Sequence, residues 1–243
     1  MTGVAPKVLF LRNEHMATEA LLGEAFTDSG FDVEHFQVVP PDQVDSPAVE
    51  VAFPDPTAYD VIVPLGARWP VYDPALRETW VGAEMALLRD AADAGVALLG
   101  VCFGGQLLAQ TFGGSVARSP RPEIGWYDVL SDRPDIVPNG PWFQWHFDRW
   151  TLPPGATELA RTPNASQAFV LGRALGLQFH PEVDTDLLRG WLADDRDGDV
   201  AAAGLDHDQL LARTTDLAGD VAPRIRALVS GFVTHVVGTS RPS

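Results

Sequence analysis

The chain has 243 residues, of which 46% are hydrophobic and 21% charged, enough apolar side chains for a substantial core and too many for a disordered chain. Its 33 acidic and 17 basic residues give a formal net charge of −16, which repels phosphate backbones and anionic lipid, so we expect no nucleic acid and no membrane among its partners. The N-terminal residues lack the features of a signal peptide, and no apolar run reaches the roughly 18 residues of a membrane span, so the sequence predicts a cytoplasmic protein.

Short apolar runs alternate with helical patterns through the first half of the chain. The predicted strands are 7–11, 31–39, 59–65 and 96–101. Helical spacing of apolar residues follows the first strand around 21–26 and precedes the fourth strand over 74–94. Because parallel neighbouring strands need crossover connections, this alternation predicts an α/β fold with a flavodoxin-like, doubly wound, mostly parallel sheet.

The second half of the chain has a different sequence pattern. Short β-like runs occupy 126–130, 142–147, 157–161, 167–171 and 175–179 and predict an added antiparallel or mixed section. Helices are expected at 184–193 and along an apolar stripe from Val221 to Val236. Between them, the acidic stretch 194–199 lacks the ligand register of a calcium loop and is interpreted as a solvated loop. We expect a single domain over 1–243, with a core of about 7–183 and a C-terminal helical extension of 184–243.

The single cysteine, Cys102, cannot form an internal disulfide and has no Cys partner for a structural zinc site. It follows a predicted buried strand and precedes a helix, with Gly100 and Gly104 two residues to either side. This is the pattern of a nucleophile elbow, in which glycines relieve crowding at a sharp turn that presents the side chain. The helix N-terminus favours the thiolate. The alternative interpretation is a small buried hydrophobe next to a helix-packing glycine.

A cysteine nucleophile needs a base, and a third group must orient that base. Side chains two residues apart in an extended segment project to the same side, so Glu182 can orient His180. His146 and Asp148 have the same spacing, and spacing alone does not choose between the two pairs.

The tetrahedral intermediate of acyl transfer needs backbone N–H donors for its oxyanion. One donor is expected from Phe103, the residue after the nucleophile. The second is expected from Gly66 or Ala67, because this loop follows the third strand and so reaches the same edge of the sheet.

Two segments resemble motifs of the class I (triad) glutamine amidotransferases, particularly the glutaminase domain of GMP synthase and its stand-alone relatives. Gly-Val-Cys-Phe-Gly-Gly-Gln at 100–106 is similar to the nucleophile motif, and Gln-Phe-His-Pro-Glu at 178–182 is similar to the His-Pro-Glu motif. The resemblance implies that Cys102 is the nucleophile, that His180 is the general acid and base, and that Glu182 is its orienting carboxylate. It thereby selects His180 over His146.

The same resemblance implies substrate contacts. Gln106 should contact bound glutamine, and Trp145 and His146 should lie beside the amino-acid end of the substrate. Two segments depart from the family pattern: Gly66-Ala67-Arg68 stands where Gly-Gly-Pro is usual, and the residues at 145–148, Trp-His-Phe-Asp, stand where Ser-His-Gly-Asp is usual.

The implied reaction is hydrolysis of the glutamine γ-amide through a γ-glutamyl thioester, without a metal or an organic cofactor. About 60 residues follow the resembling region, too few for a synthetase domain, so ammonia is expected to go to a separate synthetase subunit. The alternative is a stand-alone hydrolase of γ-glutamyl peptides or amines. A catalytically inactive relative that binds a ligand is the third possibility considered.

Overall fold

The computed structural model describes residues 4–195 and 197–238. Its strands are β1 (Lys7–Arg12), β2 (Asp32–Gln37), β3 (Val61–Pro64), β4 (Ala97–Val101), β5 (Ser115–Ser131), β6 (Gly140–Thr151), β7 (Thr157–Arg161), β8 (Ser166–Leu171) and β9 (Ala174–Leu177). Its helices are α1 (Ala20–Asp28), α2 (Pro74–Arg77), α3 (Trp80–Asp93), α4 (Phe103–Thr111), α5 (Thr185–Ala193), α6 (Asp199–Ala202) and α7 (His207–Phe232), the last continuing into a π-helical turn, Val233–Val237. None of these helices is long and apolar enough to cross a membrane.

One sheet contains all nine strands, in the order β2-β1-β3-β4-β9-β8-β7-β5-β6. The first five strands in this order pair in parallel, and the remaining neighbours pair antiparallel. The order 2-1-3-4 followed by a fifth parallel strand is the flavodoxin-like arrangement. The predicted fold class, a doubly wound α/β sheet with an added antiparallel section and C-terminal helices, is confirmed.

Helices cover both faces of the parallel half because successive strand side chains project to opposite faces. In β1, Val8 and Phe10 pack with α1 and α7 in one apolar cluster. Leu9 and Leu11 pack on the opposite face with α3 and α4 in another cluster. A third, smaller cluster lies between β5, β6 and the helices α5 to α7.

Several predicted elements have different bounds in the structure, and two of the differences have a clear physical cause. The helix predicted over 74–94 is two helices, because Thr79 leaves the helical region (φ −121°, ψ −123°) and becomes the N-cap of α3. This break turns Trp80 into the core, where its ring lies 5.5 Å from that of Phe103. The strand predicted from 126 begins at Ser115, and its register shifts between Arg118 and Glu123.

Candidate active site

The turn between β4 and α4 holds Cys102 in a strained conformation. Its φ of 51° and ψ of −106° place an L-residue in a region that is sparsely populated except by glycine. A Cβ at Gly100 would lie 2.5 Å from the Gly104 carbonyl oxygen, and a Cβ at Gly104 would overlap the carbonyl oxygen of Pro64. Both glycines are therefore required by close backbone approach, and neither has a positive φ.

The sulfur of Cys102 lies among polar groups at the floor of a cleft. Its thiol is 3.8 Å from the Trp145 carbonyl oxygen, and the side-chain amide of Gln178 donates to Sγ at 3.8 Å. Only 6% of Cys102 is exposed, so the side chain that the turn was predicted to present is largely buried. The residue nevertheless lines the cleft, together with His180.

His180 follows β9, the strand that pairs with β4. Its backbone N–H donates to the Phe143 carbonyl oxygen at 2.8 Å, which fixes the segment against β6. Its Nδ1 lies 2.6 Å from Oε1 of Glu182, and both side chains are buried. The ring of Trp191 packs edge-on against the imidazole, with 4.9 Å between ring centroids.

Two opposing effects set the protonation of His180. Burial acts to lower its pKa, but the Glu182 carboxylate, together with the charge and hydrogen bond of Cys102, raises the pKa well above the usual 6.5. The imidazole is therefore held between the sulfur and a carboxylate that favours its charged form.

The rival pair of His146 and Asp148 does not form in the structure. Nδ1 of His146 lies 2.9 Å from the backbone oxygen of Asp148, whereas Nε2 lies 3.1 Å from the Glu123 carboxylate. The Asp148 carboxylate instead accepts a hydrogen bond from the Tyr72 hydroxyl at 3.2 Å. His146 belongs to a buried polar network in which Gln167 also donates to Glu123, at 2.7 Å.

The expected oxyanion-hole residues, Gly66, Ala67 and Phe103, line the same cleft as Cys102. A Cβ at Gly66 would lie 3.1 Å from Cε1 of His180. Ala67 has no positive φ, so its methyl group fits the loop without strain. In the described part of the chain, no hydrogen bond uses the N–H of these three residues.

The cleft has a volume of about 550 Å³ and is also lined by the expected substrate contacts, Gln106, Trp145 and His146. The Gln106 amide lies 3.4 Å from the backbone oxygen of Asp148 and 3.4 Å from Oε1 of Gln178. Gln178 was not among the predicted site residues. Strand alternation places it on the same side as His180, and that signal could have identified it.

The rim of the cleft is built by residues far apart in the chain. Arg68, in the position of the family's proline, bridges Glu14 and Asp194. The interpretation of 194–199 as a solvated loop is wrong for Asp195, whose side chain is 2% exposed and accepts a hydrogen bond from the Asp199 N–H at 2.8 Å. The cleft is lined by Asp194, Asp195, Asp197 and Asp199. The acidic composition of this segment does not by itself predict that one of its side chains is buried or that the segment contacts the cleft.

No group of three or more His, Cys, Asp or Glu side chains among the described residues is arranged to hold a metal ion. A thiol, an imidazole and a carboxylate lie in sequence at the carboxyl edge of the parallel strands β4 and β9.

A family model for class I glutamine amidotransferases matches residues 35–190. The chain is 41% identical over 113 residues to a glutamine-hydrolysing GMP synthase of Aeropyrum pernix, covering 41% of this chain and 22% of that protein. It is 33% identical over 153 residues to the corresponding protein of Nitrosomonas eutropha, covering 56% of this chain and 28% of that protein. The chain thus spans between a fifth and a third of the length of these relatives.

Solved structures share the whole fold. A glutamine amidotransferase of Thermotoga maritima superposes with a TM-score of 0.80 at 24% identity, over 95% of this chain and 99% of that one. A glutamine amidotransferase of Methylobacillus Flagellatus also gives a TM-score of 0.80, at 20% identity, over 99% of this chain and 98% of that one.

Proposed function

Because the chain belongs to the class I glutamine amidotransferases, we propose that it hydrolyses the γ-amide of glutamine to glutamate and ammonia. The observation that carries the proposal is the 2.6 Å contact between His180 and Glu182 beside the sulfur of Cys102, at the carboxyl edge of β4 and β9. This arrangement is the one that nucleophile, base and orienting group require.

The proposed reaction proceeds by acyl transfer. Cys102 attacks the γ-carbonyl carbon as a thiolate, and the carbonyl oxygen becomes an oxyanion held by the N–H groups of Phe103 and of the Gly66-Ala67 loop. His180 gives its proton to the leaving nitrogen, and ammonia departs as the γ-glutamyl thioester forms. His180 then takes a proton from water, which attacks the thioester and releases glutamate. Glu182 stabilises the imidazolium and keeps its ring oriented throughout.

We propose that the cleft holds the substrate with its γ-amide over the sulfur and its amino-acid end against Gln106, Trp145 and His146. These three residues line the same cleft as Cys102. The neighbouring Asp148 carboxylate, bound to Tyr72, adds a negative charge suited to the substrate's α-ammonium group.

We propose further that 1–243 form one amidotransferase domain, whose ammonia is used by a separate synthetase subunit. The packing of α7 into the same apolar cluster as β1 supports the single domain. The similarity to about a fifth of a GMP synthase supports a synthetase as the kind of partner.

Purified protein should release glutamate from glutamine, and Cys102→Ala should abolish the release while leaving the fold intact. A variant of an exposed residue remote from the cleft, Arg133→Ala, serves as the control and should keep full activity. Glutamate release by Cys102→Ala at the wild-type rate would refute the proposal. Turnover of larger γ-glutamyl amides in place of glutamine would instead identify a γ-glutamyl hydrolase.

A further inference from the structure

Among the described residues, two carboxyl side chains outside the proposed triad, Glu84 and Glu123, are completely buried, and Glu123 is hydrogen-bonded to His146 and Gln167. Glu84, on α3, is 0% exposed, and neither of its oxygens has a hydrogen-bond partner among the described residues. An ionised carboxylate in that position would lose its hydration without compensation. Burial accordingly raises the pKa of Glu84 to about 8, against a smaller lowering of that pKa by the nearby Asn13 side chain. At neutral pH the group is therefore mostly an un-ionised acid, which has an O–H to donate.

Asn13 lies at the end of β1 and is also completely buried. Its Nδ2 donates to the carbonyl oxygen of Leu65 at 3.0 Å, whereas its Oδ1 has no partner in the described part of the chain. An un-ionised Glu84 would have an O–H to donate to this oxygen, because the Asn13 side chain lies near the Glu84 carboxyl group. One proton shared in this way would give a partner to each of two buried oxygens, as buried polar groups generally require.

Leu65 immediately precedes the loop that contains the expected oxyanion donors. Its peptide bond to Gly66 is trans, so the Leu65 carbonyl and the Gly66 N–H point in opposite directions. A carbonyl held by Asn13 therefore directs the N–H of Gly66 to the other side of the peptide plane. Gly66 lines the cleft beside His180, which is where an oxyanion donor is needed.

We propose that Glu84 and Asn13 are positioning residues for the oxyanion loop. The acid proton of Glu84 is donated to Oδ1 of Asn13, the Asn13 amide is donated to the Leu65 carbonyl, and the Gly66 N–H is thereby aimed at the reacting oxygen. Neither side chain touches the substrate. This inference rests on the proposed function, since it assigns these residues a part in acyl transfer.

Three variants test this hydrogen-bond chain by kinetics. Glu84→Gln keeps a donor for Asn13, Glu84→Met removes it at similar volume, and Asn13→Ala removes the link to Leu65. We expect Glu84→Met and Asn13→Ala to lower kcat for glutamine about tenfold or more, approaching the ~10²-fold effect of losing an oxyanion donor, with KM within about twofold. Glu84→Gln should retain kcat within about threefold of the wild type, a smaller loss than that of one donor.

Alkylation of Cys102 by iodoacetamide separates positioning from general damage. The thiolate attacks the CH2 carbon of iodoacetamide and displaces iodide, a reaction that forms no oxyanion. The alkylation rate should therefore stay at the wild-type value in all three variants. A parallel loss of kcat and alkylation rate would show that the residues are only structural. An unchanged kcat in both Glu84→Met and Asn13→Ala would overturn the proposal. If Glu84→Met does not fold, Asn13→Ala decides the kinetic result.

Infrared difference spectroscopy tests the same hydrogen-bond chain without turnover of a substrate. The spectrum of the wild type minus that of Glu84→Gln at pH 6.5 should contain the carbonyl band of an un-ionised carboxylic acid, and its absence would refute the assignment. If the wild type releases no glutamate from any γ-glutamyl compound, the proposed function fails. In that case the infrared band still shows whether Glu84 carries the proton that the hydrogen-bond chain needs. A crystal structure of Asn13→Ala then tests the positioning role, because a Leu65 carbonyl that keeps its wild-type orientation would overturn it.

Discussion

At the scale of single residues, the protonation of His180 depends on its two neighbours. Burial would favour the neutral ring, and the carboxylate of Glu182 reverses that preference. Glu182→Gln should therefore lower the pKa of His180, and it should lower kcat by about 10²- to 10⁴-fold because the ring loses its orientation and its counter-charge. The measurements are an NMR titration of the imidazole and glutamate release.

Glu158→Gln is the matched control for that substitution. Glu158 is a partly exposed carboxylate on β7 that lies 3.4 Å from Arg161, outside the cleft. The Glu158→Gln substitution should leave both the pKa of His180 and kcat unchanged. If Glu182→Gln has the same small effect as this control, Glu182 does not orient the base.

Glu84 gives stability a distinct pH dependence. Its pKa is about 8 in the folded protein, against an ordinary value of 4.5. Between these values the folded state keeps a proton that the unfolded state has released, so the contribution of Glu84 to the unfolding free energy falls as pH rises. Above about pH 8 the loss is complete.

Glu84→Gln removes this titration. The unfolding free energy of the variant minus that of the wild type should rise from pH 5 to pH 8 by at most about 1.4 kcal/mol per pH unit, a few kcal/mol in total. Urea unfolding at pH 5, 7 and 9 measures it. A difference that is constant across this range would contradict a proton on buried Glu84.

At the scale of elements, the turn from β4 into α4 depends on glycine for space. Gly104→Ala should cost several kcal/mol or abolish activity, because the new methyl group overlaps the Pro64 carbonyl, a backbone atom that cannot turn away. Thermal unfolding and glutamate release measure the two effects.

Gly219→Ala in α7 is the matched control, since the site is exposed and a Cβ there meets nothing within 4 Å. The added methyl group should stabilise the helix by about 0.5–1 kcal/mol. Equal effects of the two substitutions would show that close approach at Gly104 does not matter.

At the scale of the whole molecule, α7 closes one face of the parallel sheet. Ile225 is 1% exposed in the same cluster as Val8 and Phe10 of β1, so Ile225→Ala should cost about 2–5 kcal/mol of unfolding free energy. Arg226→Ala, at the next position, removes only an exposed ion pair with Asp28 and should cost under about 1 kcal/mol. Denaturant unfolding of the two variants compares them, and similar losses would mean that α7 is not part of the core.

The parallel sheet and its crossover helices were predictable because apolar periodicity is a local property of the chain. The break at Thr79 and the start of β5 at Ser115 were not. The helix break accompanies the burial of Trp80 against Phe103, a contact between separate helices. The first part of β5 is a strand because it pairs with β6. No sequence pattern within the segment predicts that pairing.

The sequence by itself determined the residues that stand close together in a motif: Cys102 between its glycines, and His180 two positions before Glu182, because strand alternation and turn sterics act over a few residues. Only the tertiary structure decided which carboxylate faces His146, how Arg68 joins the rim, and why the pKa of Glu84 is raised. Each of these depends on burial and on partners brought from distant parts of the chain, and the free energy of a charge is set by those surroundings rather than by its sequence neighbours.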